Sequence, residues 1–168
     1  MKKPQILIDS VYYTKYINLA VGSGMIESLE LSNLEFENFV KLIDEEKENY
    51  KYGKDKWTIK QVIQHIIDVE RLFVARALSI ARDEKTEVFG FDENLYADND
   101  YSNRLTLEYL INDYKLVRQA TVSFFKSINL DNIDNTVGDT IKMSPRIIGW
   151  IISGHSTHHI NVIKARYL

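Results

Sequence analysis

Proline is almost absent from this chain, which leaves long stretches free to form uninterrupted helices. Only two prolines occur among 168 residues, Pro4 near the start and Pro145 near the end. A proline inside a helix removes a backbone hydrogen bond and clashes with the preceding turn, whereas one in the first turn is tolerated. Between these two positions apolar residues recur at intervals of three and four, which is the spacing of one helix face. The pattern predicts an all-α fold.

The apolar spacing divides the chain into four helices with recognisable starts. Thr58 and Gln61 form a capping-box pattern at the head of the second helix. Ser144 is a good N-cap, and Pro145 after it suits the first helical position of the fourth helix. Residues before the first helix are expected to be irregular. The predicted helices span residues 24–47, 58–81, 106–127 and 144 to the C-terminus, and we expect them to form a four-helix bundle in one domain of residues 1–168.

Two connections are longer than a minimal turn. The segment EVFGFDENLYADNDYSN, residues 87–103, joins the second and third helices and is aromatic and acidic rather than rich in glycine and serine. Segments of this length are usually functional or cross over the end of a bundle, so a long crossover connection is predicted here. Tyr96 and Tyr101 either line a pocket or cover a bundle end, and Phe89 and Phe91 suggest that the segment packs down. Before the fourth helix, a tight turn is expected at residues 138–139.

Composition excludes several classes of function. The formal net charge is −3, and lysine and arginine are scattered among acidic residues, so nucleic acid is not an expected partner. No apolar run reaches the roughly 18 residues of a membrane span, and the first ten residues lack a signal-peptide pattern, which predicts a cytoplasmic protein. Cysteine is absent, so disulfides and thiolate ligands are excluded. Any metal ion must be held by histidine, aspartate or glutamate.

Three of the four histidines lie in GHSTHHINVIKARYL, residues 154–168. His155 and His159 are four residues apart, so on a helix they stack on one face, within an apolar stripe. Such a pair can hold one divalent ion, and His65 on the second helix is the remaining histidine that could complete the site. The alternative is that these are hydrogen-bonded core histidines, with His158 a partly exposed neighbour. The spacing alone leaves both interpretations open.

Other polar residues near these histidines also have two interpretations. Glu70 falls among apolar residues of the second helix, where it is either a general base or anchor, or the structural partner of an arginine. Asp68 lies one turn from His65 and either orients it and accepts a proton, or is simply solvated. His158 is a third candidate proton carrier. Arg166 shares the face of the histidine pair and either binds an anionic substrate or pairs with an acidic side chain.

Three segments together resemble the DinB/YfiT-like superfamily of metal-dependent enzymes. They are WTIKQVIQHIIDVERLFVARALSIAR, GFDENLY and WIISGHSTHHINVIKARYL, and the resemblance covers nearly the whole chain. It implies a four-helix bundle with a long crossover and a divalent ion held by three histidines, which map onto His65, His155 and His159. It does not imply DNA synthesis, since the similarly named DNA polymerases are an unrelated group.

The resemblance also narrows the chemistry. Relatives are described as hydrolases or as transferases that join low-molecular-weight thiols to electrophiles. The implied partners are a small electrophilic substrate and, for a transferase, a low-molecular-weight thiol. Zinc is the expected ion, with nickel, iron or manganese also compatible with histidine ligands. A different class remains open, in which the bundle is a binding or scaffold protein with a structural or vestigial metal site. Homodimerisation is compatible with both.

Overall fold

A computed structural model of the chain describes residues 1–4, 11–84, 90–137 and 142–168. Within these ranges the regular elements are helices, and the one extended pairing is an isolated antiparallel bridge between Val137 and Met143. The prediction of an all-α fold is confirmed. The turn predicted at residues 138–139, and Phe89, lie outside the described residues. None of the described helices is long and apolar enough to cross a membrane.

Six α-helices make up the described fold, and short 3₁₀ turns extend or connect them. The turns lie at Val40–Leu42, Glu45–Lys47, Ser102–Arg104 and Leu130–Asn132. The α-helices are α1 (Val11–Leu19), α2 (Met25–Phe39), α3 (Ile59–Ala81), α4 (Glu93–Asn99), α5 (Leu107–Ser127) and α6 (Pro145–Arg166).

Side-chain caps fix the N-termini of the three longest helices. Thr58 accepts a hydrogen bond from the Gln61 amide while the Gln61 side chain accepts one from the Thr58 amide, so both halves of the capping box are present at α3. Thr106 caps α5, and Ser144 caps α6 with Pro145 in the first turn. The predicted starts of these three helices are confirmed, and the capping side chains set them.

Two expectations about the first part of the chain are wrong. The residues expected to be an irregular lead-in include the helix α1, Val11–Leu19. The first predicted helix, residues 24–47, is also too long, since α2 ends at Phe39 and continues only as a 3₁₀ turn. Ile43 and Asp44 then adopt extended backbone, with ψ of 113° and 143°, and this break separates the second 3₁₀ turn from the helix.

Four helices form the bundle, and the order around its axis positions the histidines. The helices α5 and α6 each pack against both α2 and α3. The circular order is therefore α2, α5, α3, α6, which makes α3 and α6 neighbours. The additional helix α1 packs on the outside of α6. It approaches so closely that a Cβ atom on Gly154 would collide with the Tyr16 carbonyl oxygen, which explains the glycine at that position.

The connection between α3 and α5 contains the short helix α4, which is attached to the start of α3. The Gln61 side chain donates a hydrogen bond to the Ala97 carbonyl (2.9 Å), and Lys60 donates one to the Leu105 carbonyl (2.9 Å). The Thr58 hydroxyl donates to Asn103 (2.7 Å). These bonds hold α4 and the following turn against the N-terminal half of α3, close to the first histidine of the chain.

Candidate metal centre

The bundle brings three histidines together between α3 and α6. His65 comes from α3, and His155 and His159 come from successive turns of α6. The Nε2 atom of His155 lies 3.2 Å from Nε2 of His65 and 3.1 Å from Nε2 of His159. One ring nitrogen of each residue lies within 4.8 Å of the others. Among the described residues, these histidines are the only group of three or more metal-ligating side chains close enough to share an ion.

Burial keeps these imidazoles in the neutral form that binds metals. His65 is 8% exposed and His155 is 6% exposed. Desolvation, with a smaller contribution from His158, lowers the pKa of His65 from 6.5 to about 4. The pKa values of His155 and His159 are also lowered well below 6.5 by desolvation, and mutual repulsion among the histidines adds to the effect. At neutral pH none of the three is protonated.

The donor set fits a divalent ion. Zinc binds imidazole nitrogen at about 2.0–2.1 Å, so two nitrogens on one tetrahedral ion lie about 3.3 Å apart. The distances of 3.1 and 3.2 Å at His155 are close to that separation. A neutral imidazole has one nitrogen that donates a hydrogen bond and one that accepts. Three Nε2 atoms that face one another therefore cannot all be paired by hydrogen bonds, whereas one shared cation would bind the lone pair of each.

Polar contacts fix the rotation of α6 about its axis. Ser153 and Ser28 are joined by a buried hydrogen bond of 2.7 Å, and Ser156 and Tyr114 by one of 3.1 Å. Thr157 donates to Glu35 on α2 (2.7 Å). Ser153 and Thr157 hold the far side of α6 against α2, and Ser156 joins the helix to α5. His155 and His159 are thereby turned towards α3.

A narrow space beside His65 lies next to an open cavity. The narrow space has a volume of about 10 Å³ and is bounded by His65, Asp68 and Tyr96, with residues of α4. The outer cavity has a volume of about 550 Å³. Asp68, Tyr96 and Asp100 border both spaces, and Tyr101 borders the outer one. The candidate metal centre is therefore adjacent to a cavity of the size that binds small molecules.

Comparison with known proteins places the chain in a family. The sequence profile of the DinB superfamily matches residues 29–163, which include all three histidines of the centre. The chain belongs to the DinB superfamily. No curated protein matches it at a significant level.

A solved structure supports the bundle topology of this DinB superfamily member. It is described as "YfiT from Bacillus subtilis is a probable metal-dependent hydrolase with an unusual four-helix bundle topology". The match has a TM-score of 0.73 and 16% sequence identity, and it covers 97% of this chain and 90% of that one. At this identity the similarity establishes the shared fold, and it confirms the predicted four-helix bundle.

The predicted proton carriers occupy different environments in this DinB protein. Asp68 borders both spaces of the cavity. His158 is half-buried beside the centre, with its ring centroid 5.4 Å from that of Tyr16 and 4.9 Å from that of His159. Glu70 is buried elsewhere, where both of its carboxylate oxygens accept hydrogen bonds from Arg118 (2.9 and 2.8 Å). Of the three, Asp68 has direct access to the cavity.

Arg166 lies on the histidine face of α6, as the sequence predicted, but too far along the helix to reach the centre. It has the same angular position on α6 as His155, but eleven residues separate them along the helix. At about 1.5 Å per residue this places Arg166 about 16 Å away, at the end of the bundle. It is exposed, and no ion pair with an acidic side chain is found within the described part of the chain.

Two aromatic residues that pack on the centre were missed as site residues. The Tyr16 ring lies edge-on to His155, with centroids 5.1 Å apart, and the Trp57 ring lies 4.9 Å from that of His65. Tyr16 belongs to α1, which was expected to be irregular. Its signal was present in the sequence, because Tyr13, Tyr16, Ile17 and Ala20 follow the i, i+3, i+4, i+7 spacing of a helix face.

Proposed function

We propose that this protein is a divalent-metal-dependent hydrolase acting on a small electrophilic molecule, with His65, His155 and His159 as the metal ligands. The observation that carries the proposal is the convergence of three neutral imidazoles, of which His65 borders the narrow space that adjoins the outer cavity. The description of YfiT as a probable metal-dependent hydrolase supports the same class of reaction. Zinc is the proposed ion because it suits histidine ligands with an open coordination position.

The cavity favours an enzyme over a scaffold. A purely structural metal site can be closed on all sides, whereas catalysis needs a coordination position that substrate can reach. Here the surroundings of His65 include Gln61, Asp68 and Glu93, which are polar or charged side chains beside the narrow space. Three imidazoles enclosed by apolar side chains alone would have favoured the scaffold interpretation.

The size of the narrow space favours water over a thiol as the nucleophile. A cavity of roughly 10–15 Å³ holds about one water molecule. The space beside His65 has a volume of about 10 Å³. A low-molecular-weight thiol would have to reach the centre from the outer cavity, where it would compete with the electrophile for room. Thiol transfer is the second candidate reaction because it remains compatible with three histidine ligands.

The residues of the chain have distinct parts in the proposed reaction. His65, His155 and His159 would hold a divalent ion without reducing its charge, and the ion would supply Lewis-acid chemistry that makes water or a thiol more acidic. Asp68 accepts the proton that the nucleophile gives up. Gln64 donates a hydrogen bond to Oδ1 of Asp68 (2.8 Å), which orients the carboxylate across the cavity. Tyr16 and Trp57 pack on the imidazoles and exclude water from their faces.

A substrate screen of metal-loaded protein tests this proposal. One set of assays offers ester, amide and phosphoester substrates with water as the nucleophile, and a second offers epoxides and alkyl halides with several low-molecular-weight thiols. We expect turnover in the hydrolytic set. Turnover only in the second set would favour the thiol transferase.

The matched control is a His155→Ala plus His159→Ala double variant that remains folded. Removing two of three ligands should release the ion and abolish turnover. Lys164→Ala on the same helix replaces an exposed residue that borders neither space and should leave turnover unchanged. If no substrate is turned over, or if the double variant is as active as the wild type, the proposed function is wrong.

A further inference from the structure

The outer cavity does not reach the candidate metal centre. Within the described part of the chain, no histidine is among the residues that border it. His65 borders the narrow space instead, whose volume of about 10 Å³ holds about one water molecule. The walls between the two spaces belong to α3, to α4 and to the turn that follows α4. A substrate in the outer cavity therefore cannot touch an ion at the centre unless one of these walls moves.

The wall formed by α4 is loosely attached. Of the seven residues in this helix only Ala97 is buried, at 6% exposed, and the other side chains are exposed. Within the described residues, one hydrogen bond joins α4 to another helix, from the Gln61 side chain to the Ala97 carbonyl (2.9 Å). Just before the helix, Phe91 packs on the apolar core and on the Tyr96 ring. A helix this short is not stable by itself, so its position depends on these few contacts.

The turn that follows α4 is held more firmly. The bonds from Thr58 and Lys60 described above attach it to the start of α3. Ser102 is fully buried, and its amide and hydroxyl donate hydrogen bonds to Asp100 (2.9 and 2.7 Å). Asp100 itself has extended backbone, with φ of −75° and ψ of 163°, where the helix ends. A loosely attached helix thus meets a fixed turn at Asp100, which is the arrangement of a hinge.

We propose that α4 is a lid over the metal centre, which turns about Asp100 and is held closed by the Gln61–Ala97 hydrogen bond. Tyr96 belongs to α4 and borders both spaces, so it moves with the lid. Opening joins the narrow space to the outer cavity and lets the electrophile reach His65. The inference deepens the proposed function, since it describes how substrate reaches the same site, and its tests do not use turnover.

Gln61→Glu breaks the closing bond and keeps the helix cap. The Gln61 side chain has two partners, because its oxygen accepts from the Thr58 amide (3.0 Å) while its nitrogen donates to the Ala97 carbonyl. A glutamate at this position preserves the capping box but has no N–H for the carbonyl. Gln119→Glu is the matched control, because it makes the same change at an exposed position of α5.

Hydrogen exchange of the backbone amides measures how often the lid opens. In the wild type we expect residues 96–99 to exchange at least about tenfold faster than the middle of α3 and α5, since a loosely attached helix opens without global unfolding. Gln61→Glu should accelerate exchange in α4 by roughly three- to tenfold, the effect of one hydrogen bond, and leave α3 unchanged. Exchange in α4 as slow as in α3, or no acceleration in either lid variant, would overturn the proposal.

Chemical modification of His65 tests whether the lid covers the centre. Diethyl pyrocarbonate modifies neutral, accessible imidazoles, and mass spectrometry locates the product. His65 is 8% exposed, and the half-buried His158 of the same sample is the reference. In metal-free Gln61→Glu we expect His65 to react roughly three- to tenfold faster relative to His158, with no change in Gln119→Glu. Faster exchange in α4 without faster modification of His65 would show that α4 does not cover the centre.

A second variant opens the lid without touching α3. Ala97→Gly removes the one buried side chain of α4 and leaves Gln61 in place. Ala120→Gly makes the same substitution at an exposed position of α5 and is its control. We expect Ala97→Gly to accelerate both exchange in α4 and modification of His65, and Ala120→Gly to change neither. An effect seen only in Gln61→Glu, together with faster exchange in α3, would assign it to the helix cap and contradict the lid.

Zinc separates this inference from the proposed function. Bound zinc should protect His65 from modification in the wild type and in Gln61→Glu, because a coordinated imidazole has no free lone pair. Faster modification of the metal-free variants without any protection by zinc would contradict the metal centre and leave the lid intact. Protection by zinc, with equal reactivity of His65 in the metal-free wild type and both lid variants, would contradict the lid and leave the metal centre intact.

Discussion

At the scale of single residues, burial decides what a charged side chain does. Glu70 and Arg118 are each 2% exposed, and they form a bidentate ion pair between α3 and α5. Arg118 also donates to the Leu29 carbonyl and to Ser32 of α2. These bonds satisfy both carboxylate oxygens of Glu70 and connect three helices. The structural alternative considered for Glu70 therefore accounts for its position better than a role as a base.

Removing Glu70 should strongly destabilise the protein. In Glu70→Ala the buried Arg118 guanidinium loses its counter-charge, and breaking a buried pair in this way costs about 3–5 kcal/mol. Lys126→Ala is the matched control, because Lys126 and Glu30 form an ion pair that is 56% and 53% exposed. Loss of this exposed ion pair should lower the free energy of unfolding by less than about 1 kcal/mol. Urea denaturation measures both values.

A double variant separates stability from catalysis at the same pair. Glu70→Leu with Arg118→Met removes both charges and should recover much of the lost stability. If the folded double variant keeps its turnover, Glu70 is structural. Loss of turnover in a stable, metal-loaded double variant would instead support the catalytic role.

The pH dependence of turnover should reflect Asp68. Desolvation raises the pKa of this carboxyl above its usual 3.8, and the Gln64 hydrogen bond partly opposes the rise. A proton acceptor must be ionised, so turnover should increase with pH as Asp68 deprotonates, with its midpoint above the usual aspartate value. Gln64→Ala removes the opposing bond and should shift this midpoint to higher pH. Asp68→Asn should abolish the titration, and an unchanged profile in Asp68→Asn would contradict the role.

At the scale of helices, the elements with side-chain caps were predictable from the sequence, whereas a helix with a short apolar face was not. The N-terminal ends of α3, α5 and α6 follow from Thr58, Thr106 and Ser144, whose side chains bond to the first amides of each helix. The helix α1 was missed because its hydrophobic face is only nine residues long and rich in tyrosine. It acquires stability by packing on α6, which no local pattern reveals.

The inward face of α5 shows a second limit of periodicity. Apolar residues at spacings of three and four, among them Val117 and Phe124, predict the buried face of this helix from the sequence. In the structure both are half-buried, and the inward positions are Arg118 and Phe125. An arginine at an inward position is unexpected unless its partner is known. That partner, Glu70, is 48 residues away in sequence.

Substituting Gly154 should displace α1. In Gly154→Ala the new methyl group would overlap the Tyr16 carbonyl, which is backbone and cannot turn away. Forced overpacking of this kind lowers the free energy of unfolding by about 1–3 kcal/mol. This loss outweighs the gain from the higher helix propensity of alanine compared with glycine. The Tyr16 ring should also lose its contact with His155. Thermal unfolding measures the first effect, and the tyrosine and histidine NMR resonances report the second.

Gly90→Ala is the control for this substitution. A Cβ atom there would meet nothing within 4 Å, so its stability should be unchanged within about 0.5 kcal/mol. A Gly154→Ala variant as stable as Gly90→Ala would mean that α1 is not held against α6 in the way described.

At the scale of the whole molecule, the site depends on which helices are neighbours. Periodicity predicts the buried face of a helix but not the helix that it faces, so the sequence left the histidine pair with two interpretations. The order α2, α5, α3, α6 places His65 opposite His155 and His159. The resemblance to the DinB superfamily indicated which helices are neighbours, because it implied a known fold. Homodimerisation stays a prediction.

The cavity was the least predictable part of the site. Glu93 and Asp100 lie in the connection between α3 and α5, which has no periodicity that would orient them, and they reach the site because Gln61 binds the Ala97 carbonyl. Tyr96 and Tyr101 were considered as pocket residues, and both border the outer cavity. Residue types suggested the ligands, whereas long-range packing determined the walls around them.

Metal content is the most direct test of the central claim. Protein purified without a histidine tag is supplied with zinc, nickel, manganese or iron and analysed for bound metal after gel filtration. We predict about one equivalent of a divalent metal per chain, lost in the folded His155→Ala plus His159→Ala variant and retained in Glu70→Leu with Arg118→Met. Less than about a tenth of an equivalent with every metal, or equal content in the histidine double variant, would contradict the three-histidine centre.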